Sequence, residues 1–359
     1  MNFAHAVDFS GNLKAFGISK DLVSRTDNLN SLQLSTKFQA ISSLNEFTKI
    51  EIAYELLSVT EKPLPHVTPT QNYRVSDLNY YLHDEAYSND YKTNLIQNLN
   101  RLNLNMNFQY ADLSIGRMPI AFGSAKSINP TDVLTPFAVN TIDKEERIGV
   151  DAAFIKIPIN ELSLIEVGFV GGNDLESKNN AKFIRPKFNF SGYDIAFSFM
   201  NFKEKNLVGF DLQHSIQDAG FWFESAYVDQ TNFRVNDFIR ITTGVDYKFS
   251  NTLYLAGEYH YNGASGNSAT FSPLEFIYLR DFDYFILTSS YEFTPLLTGS
   301  IQSYVNLKDK SNLSSLKLDY NFKENLYLSL GSYLSTGNTK TSEFGRYGQQ
   351  YYSSIRFYY

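Results

Sequence analysis

The chain has no cysteine, so neither a disulfide framework nor a thiolate metal site is open to it. That absence fits a protein that crosses an oxidising compartment unfolded. No apolar run reaches about 18 residues, which excludes a transmembrane helix. Histidine is scarce, at five, and none stands in an H-x-S, G-x-S-x-G or H-E-x-x-H setting. The sequence therefore predicts no enzyme, no cofactor and no metal. Positive charge is not in excess: 31 Lys and Arg against 38 Asp and Glu leave a net charge of −7, which speaks against nucleic acid as a partner. Tryptophan occurs once, yet 30 Phe and 25 Tyr bring the aromatic share to 16%.

What is abundant is alternation. From Arg101 to Tyr110, Leu102, Leu104, Met106, Phe108 and Tyr110 share one face and Arg101, Asn103, Asn105, Asn107 and Gln109 the other. Period two over about ten residues means a strand with one apolar face. Ile50, Ile52 and Tyr54 oppose Lys49, Glu51 and Glu55 in the same way, and Ile241, Val245 and Tyr247 oppose Arg240, Asp246 and Lys248. About eighteen such segments begin near residues 7, 31, 46, 99, 111, 148, 160, 181, 191, 205, 218, 237, 252, 282, 296, 312, 324 and 346.

Every second connection is very short, as at Ser43–Asn45, Ser191–Gly192 and Lys323–Asn325, and most of the others are longer, above all 58–98 and 119–147. Tight turns at one end and long loops at the other are the mark of a barrel that spans a membrane. The predicted fold is all-β: a transmembrane antiparallel up-and-down barrel of about eighteen strands, sixteen being the alternative count, with both termini periplasmic. The charged face then lines an aqueous lumen, because a packed interior could not bury so many charges. The apolar face meets outer-membrane lipid. Residues 1–6, ending in the small-x-small pattern Ala4-His5-Ala6, read as a residual signal or tag region, and 7–359 as one barrel.

The stretch 114–137 breaks the alternation with two glycines, three prolines and an apolar set that includes Phe122, Ile128, Val133, Leu134 and Phe137. Arg117 shares parity with Leu113 and Ile115, which would point it at lipid. A bulge near Gly116 would turn it inward, or it snorkels at the membrane edge. A loop this apolar will not stay in water, so 119–147 is expected to fold into the lumen and narrow it. Its charges, Lys126, Asp132, Asp143, Lys144, Glu145, Glu146 and Arg147, together with Arg117 and Asp151, are the candidate constriction. Arg101, Arg185, Lys187, Arg240 and Glu258 are candidate pore-lining residues of the wall. The 58–98 segment reads as a tyrosine-rich external loop carrying Tyr73, Tyr80, Tyr81, Tyr87 and Tyr91.

The segment from Gly116 to Phe137, GRMPIAFGSAKSINPTDVLTPF, followed by DKEERIGVDA at 143–152, resembles a recurring segment of porin-like outer-membrane barrels of proteobacteria. The openings SGNLKAFG and IEIAYEL are similar to the same group, and eighteen-stranded alginate-export barrels are a more distant likeness. The terminal Ile355, Phe357 and Tyr359 alternate back from an aromatic end, which resembles the signal read by the barrel-assembly machinery. The resemblance implies a Gram-negative outer membrane and a porin or export channel, with no named solute. The expected function is passive diffusion of small hydrophilic solutes. The alternative is a structural barrel that sheathes or anchors a lipoprotein, cytochrome or secretion component, or an adhesin acting through its loops. A homo-oligomer or a periplasmic or surface partner protein is compatible with either.

Overall fold

The structure is a computed structural model that describes residues 7–21, 23, 28–61, 80–88, 91–172, 179–229, 236–265 and 279–359, with backbone alone at 80–88, 91 and 92. The proposed leader at 1–6 and most of the tyrosine-rich loop lie outside the described residues.

Strands follow one another in the order β1 (Val7–Asp21), β2 (Asn28–Ser43), β3 (Thr48–Glu61), β4 (Tyr80–Ser88), β5 (Tyr91–Asn107), β6 (Asp112–Met118) and β7 (Val150–Pro158). Then come β8 (Leu164–Val170), β9 (Ala181–Phe190), β10 (Tyr193–Phe202), β11 (Lys205–Ile216), β12 (Ala219–Asp229) and β13 (Phe238–Lys248). The last six are β14 (Tyr254–Asn262), β15 (Asp283–Thr294), β16 (Leu297–Asn306), β17 (Asn312–Lys323), β18 (Leu326–Thr336) and β19 (Gln350–Tyr358). Each pairs antiparallel with its neighbours, and β1 pairs with β19 from Asn12↔Tyr358 to Lys20↔Gln350, which closes the ring. Closure leaves no edge within the ring, as lipid requires.

Eighteen strands form the ring, because β3 pairs directly with β5 and β4 stands outside it. β4 adds to β5 from Tyr80↔Gln97 to Ser88↔Tyr91, the stretch of β5 that lies beyond β6. This corrects the reading of 58–98 as one loop: β3 runs on to Glu61, β5 begins at Tyr91, and 80–88 is strand.

Nearly all the short connections fall at one end; the two-residue turn Lys203-Glu204 between β10 and β11 is at the other. Ser191 and Gly192, with φ of 50° and 81°, make a two-residue hairpin between β9 and β10, the positive-φ pair that matches strand twist. Along each strand the burial alternates. Phe199, Val208, Ile239, Leu287, Leu318 and Leu330 are exposed on the outside, while Lys14, Arg185, Asp211, Glu224, Arg240 and Glu258 point inward and are buried. An apolar exterior around a charged interior inverts a soluble protein and suits a lipid-embedded wall.

The wall is uneven in height. β5 has 17 residues and β2 has 16, whereas β6 and β8 have seven each. The long segment 119–149 leaves from β6 and returns through β7, where the wall is lowest, and folds over it into the lumen.

Candidate functional site

The segment 119–149 occupies the lumen as a plug, and two kinds of wall surface hold it. The first is apolar. Ile120, Phe122, Val133 and Leu134 pack with Val150, Val170, Phe183, Met200, Phe202 and Leu207, all inward-facing residues of β7–β11. Phe122 meets Phe183 edge-on with ring centres 5.0 Å apart. Across the lumen, Ile128 and Val139 pack with Tyr284, Ile286, Tyr304 and Tyr333 of β15–β18. Sequence reasoning missed this socket. Its signal was present: at the loop ends of β9–β11 the strands are apolar at both parities, as in Phe199, Met200 and Phe202, where a water-filled lumen would ask for polar residues on one face.

The second surface is a set of carboxylates that accept hydrogen bonds from the plug's backbone. Glu224, fully buried on β12, accepts from Ser124 N (3.1 Å), Ala125 N (3.2 Å), Thr131 N (2.8 Å) and Thr131 Oγ1 (2.7 Å). Glu258 on β14 accepts from Lys126 N (2.8 Å) and Trp222 Nε1 (3.0 Å). A buried backbone N–H needs an acceptor, and an irregular segment cannot supply enough of its own. Gly123, with φ of +98°, lies so close to Glu224 that a Cβ there would come within 2.6 Å of its Oε2. Only glycine allows the approach.

The return limb is held by the reverse polarity. Lys14 Nζ donates to Asp143 (2.7 Å) and Glu145 (2.6 Å), Lys37 pairs with Glu146, and Arg356 pairs with Glu145. Tyr358 Oη donates to Glu145 as well, at 2.7 Å. Lys14, Lys37 and Arg356 come from β1, β2 and β19, so three adjacent strands present one basic row to one acidic tip. Burial acts to raise the carboxyl of Glu145, but hydrogen bonds from Lys14 and Tyr358 and the charges of Lys14 and Arg356 outweigh it and bring the group down to about 2.

The other expected residues divide by accessibility. Arg147 pairs with Asp132, donates to Thr135 O (2.7 Å) and lies over the Phe137 ring at 4.8 Å, so it pins the plug to itself. Arg101 donates to Arg147 O at 3.0 Å. Arg185 bridges Glu166 (3.2 Å) and Asp211 (3.4 Å) under the Phe122 ring, where it is buried. Arg240 is buried and bonds to Asn262, and Lys187 is half-buried on the lumenal parity of β9. Lys126 and Lys144 are exposed: Lys126 Nζ lies 5.5 Å from the Trp222 ring, and Lys144 reaches Gln302 at 3.5 Å. Neither expectation for Arg117 holds as written. The ladder stays in register through Gly116, with Leu102↔Arg117 and Arg117↔Asp151, so no bulge reverses it. Nor does it snorkel: it is 4% exposed, held by Asp151 in two bonds of 2.8 and 2.7 Å.

Two of the cavities beside the plug adjoin at Ile142. A cavity of about 410 Å³ runs from Ile142 past Lys20 and Leu29 toward the long-loop end. Another of about 310 Å³ runs past Lys317 and Arg356 toward the short-turn end. The two share Phe16, Thr141, Ile142 and Asp143. The cavities thus adjoin at Phe16 from the wall and at Thr141, Ile142 and Asp143 from the plug, with Lys144 and Glu145 lining the second cavity.

No protein-family profile matches the chain, and no curated protein is similar to it by sequence. Solved structures do match over nearly the whole chain. OccAB4 of Acinetobacter baumannii covers 100% of both chains at 12% identity with a TM-score of 0.60. OccK5 (OpdH) of Pseudomonas aeruginosa covers 98% of this chain and 97% of its own at 10% identity, TM-score 0.62. A BenF-like porin from Pseudomonas fluorescens Pf-5 covers 98% of both at 13% identity, TM-score 0.58. At these identities the likeness is one of fold: a closed barrel of the porin type.

Proposed function

We propose that this chain is an outer-membrane channel for passive diffusion of small hydrophilic solutes, with 119–149 setting the passage. The observation that carries the reading is a barrel with an apolar exterior and a charged lumen, partly filled by its own segment so that two cavities meet at Phe16 and Ile142. A lumen so occupied has little room for a sheathed protein, which argues against the structural alternative. The long-loop end faces outward and both termini face the periplasm, in keeping with the short turns at the terminal end. The last strand, ending Phe357-Tyr358-Tyr359, is the segment the assembly machinery would read. Planar-bilayer recording of the purified barrel tests the reading: discrete conductance steps are expected, and a correctly folded barrel that conducts nothing would overturn it.

Selectivity separates the exposed charge from the pinned one. Lys144→Glu is expected to shift the reversal potential toward cations, because it reverses an exposed charge that lines the second cavity. Arg147→Met is expected to leave selectivity nearly unchanged and to increase current noise, because Arg147 is spent on Asp132 and Thr135. Equal shifts in selectivity from both would refute this division.

Acid should loosen the tip late. Glu145 is held below its ordinary value of 4.5, so it stabilises the docked tip above that pH and loses the contribution as pH falls through about 2. Current noise is expected to be flat from pH 7 to 5 and to rise between about pH 4 and 2. Lys14→Met should move the rise upward, toward the ordinary carboxyl value.

A further inference from the structure

The outer wall holds little charge, since parity turns almost every strand cation into the lumen. Among the described strand residues, Lys182 near the start of β9 is the one exposed Lys or Arg on the outward face. Its ammonium has no hydrogen bond or ion pair among the described residues. It stands in a polar row at the long-loop end of the wall. Lys182 pairs in register with Asn201, which pairs with Asn206, and Asn201 Nδ2 donates to Asn206 Oδ1 at 2.8 Å. Two residues further along the same strands the row becomes Ile184, Phe199 and Val208, all exposed. The wall thus passes from polar to apolar within two residues, a distance of roughly 7 Å. Such a step marks the level where headgroups give way to acyl chains.

Directly below Lys182 the apolar wall is indented. A groove of about 590 Å³ lies among Ala153, Val167, Phe169, Ile184 and Phe199, with Lys182 on its rim. Ala153, exposed on β7, leaves the floor without a bulky side chain. A second outward groove, of about 620 Å³, lies at β1 and β16–β19 among Gly17, Leu318, Leu330 and Ile355, and no charged residue lines it. The two grooves are alike in size and apolarity and differ in the cation.

We propose that the groove under Lys182 binds one phosphate-bearing membrane lipid, its acyl chain along Ala153 and Phe199 and its phosphate on the Lys182 ammonium. An ammonium without a partner among the described residues at the headgroup level attracts an anionic headgroup, and the indentation beneath it leaves room for an acyl chain of the same molecule. The proposal rests on the outer-membrane placement argued above, and adds a site outside the passage.

Native mass spectrometry of the detergent-purified protein tests it, with dimyristoyl phosphatidic acid and dimyristoyl phosphatidylcholine as probes. One equivalent of phosphatidic acid is expected to be retained about fivefold more tightly than phosphatidylcholine, the effect of one surface cation on an anionic lipid. Lys182→Gln should abolish the preference and Lys182→Arg should keep it. Ala153→Trp should lower retention of both lipids by filling the floor. Leu330→Trp, in the uncharged groove, should leave the preference intact. A preference that survives Lys182→Gln overturns the proposal. So does phosphatidic acid binding that ignores Ala153→Trp and is competed away by millimolar inorganic phosphate, which would mean a phosphate site without an acyl chain. Conductance recorded on the same variants keeps the two readings apart: a wild type that binds phosphatidic acid but conducts nothing defeats the channel and leaves the lipid site standing.

Discussion

Removing residues 124–140 is expected to raise single-channel conductance severalfold while the ring of strands survives. An eighteen-strand barrel without a plug encloses an aqueous channel, and the plug fills much of that space. Every wall strand keeps its ladder partners without the segment, from β1–β2 round to β18–β19. The deletion is not neutral for stability, however. It strips Ile128, Val133, Leu134 and Val139 from the socket and leaves Phe183, Met200 and Phe202 facing water. At about 1.5–3 kcal/mol per buried side chain, packing on the order of 10 kcal/mol is lost. The folded barrel should therefore keep its compact mobility on unheated gels but convert to the unfolded form at a distinctly lower temperature. Unchanged conductance would place the segment outside the passage.

Replacing Glu224 with alanine should free the plug without deleting it. Four donors converge on this carboxylate, three of them backbone amides with no other acceptor among the described residues. Their loss in a buried setting is expected to destabilise the docked segment by about 3–5 kcal/mol, since each buried donor left unpaired costs roughly 1–3 kcal/mol and some regain water. The single tryptophan supplies the reporter. Trp222 is 2% exposed and packs with Ala125, with Lys126 above it. In Glu224→Ala its emission should shift to the red, trypsin should cut after Lys126, and current noise should rise. Glu224→Gln, which keeps one acceptor oxygen, should fall between. A Trp222 spectrum identical to wild type in the alanine variant would show that apolar packing alone holds the plug.

The ring was legible because its signal is local. Alternation at Ile195, Phe197 and Phe199, or at Leu316, Leu318 and Tyr320, needs no knowledge of partners, and the expected starts near 181, 205, 237 and 312 lie within a residue of the strands found. β4 and the upper part of β5 were not legible, since Tyr80–Ser88 mixes His83, Asp84 and Glu85 into its run and reads as polar loop. The inward fold of 119–147 could be argued from Phe122, Ile128 and Leu134, which must leave water. What holds it could not, because the partners are remote: Asp143 meets Lys14 at a separation of 129 residues, and Glu145 meets Arg356 at 211. For the same reason the ion pairs of Asp143, Glu145 and Glu146 with the wall could not be read from the sequence, while Lys126 and Lys144 stay exposed. Phe16 and Ile142, which both cavities share, carry no charge and gave no chemical signal in the sequence.

The seat of the acidic tip has an origin in time as well as in space. Lys14 and Lys37 belong to the first two strands made and Arg356 to the last, and they become neighbours only through the pairing Lys14↔Arg356 that closes the ring. Until β1 and β19 meet, Glu145 has half a partner set, and the plug is an unseated apolar segment inside an open sheet. Contacts so distant in sequence form late. Docking of 143–146 thus depends on closure, and a completed seat marks the correct pairing of the ends: a ring closed one residue out of register would set Lys14 opposite the wrong parity of β19 and leave the tip unheld.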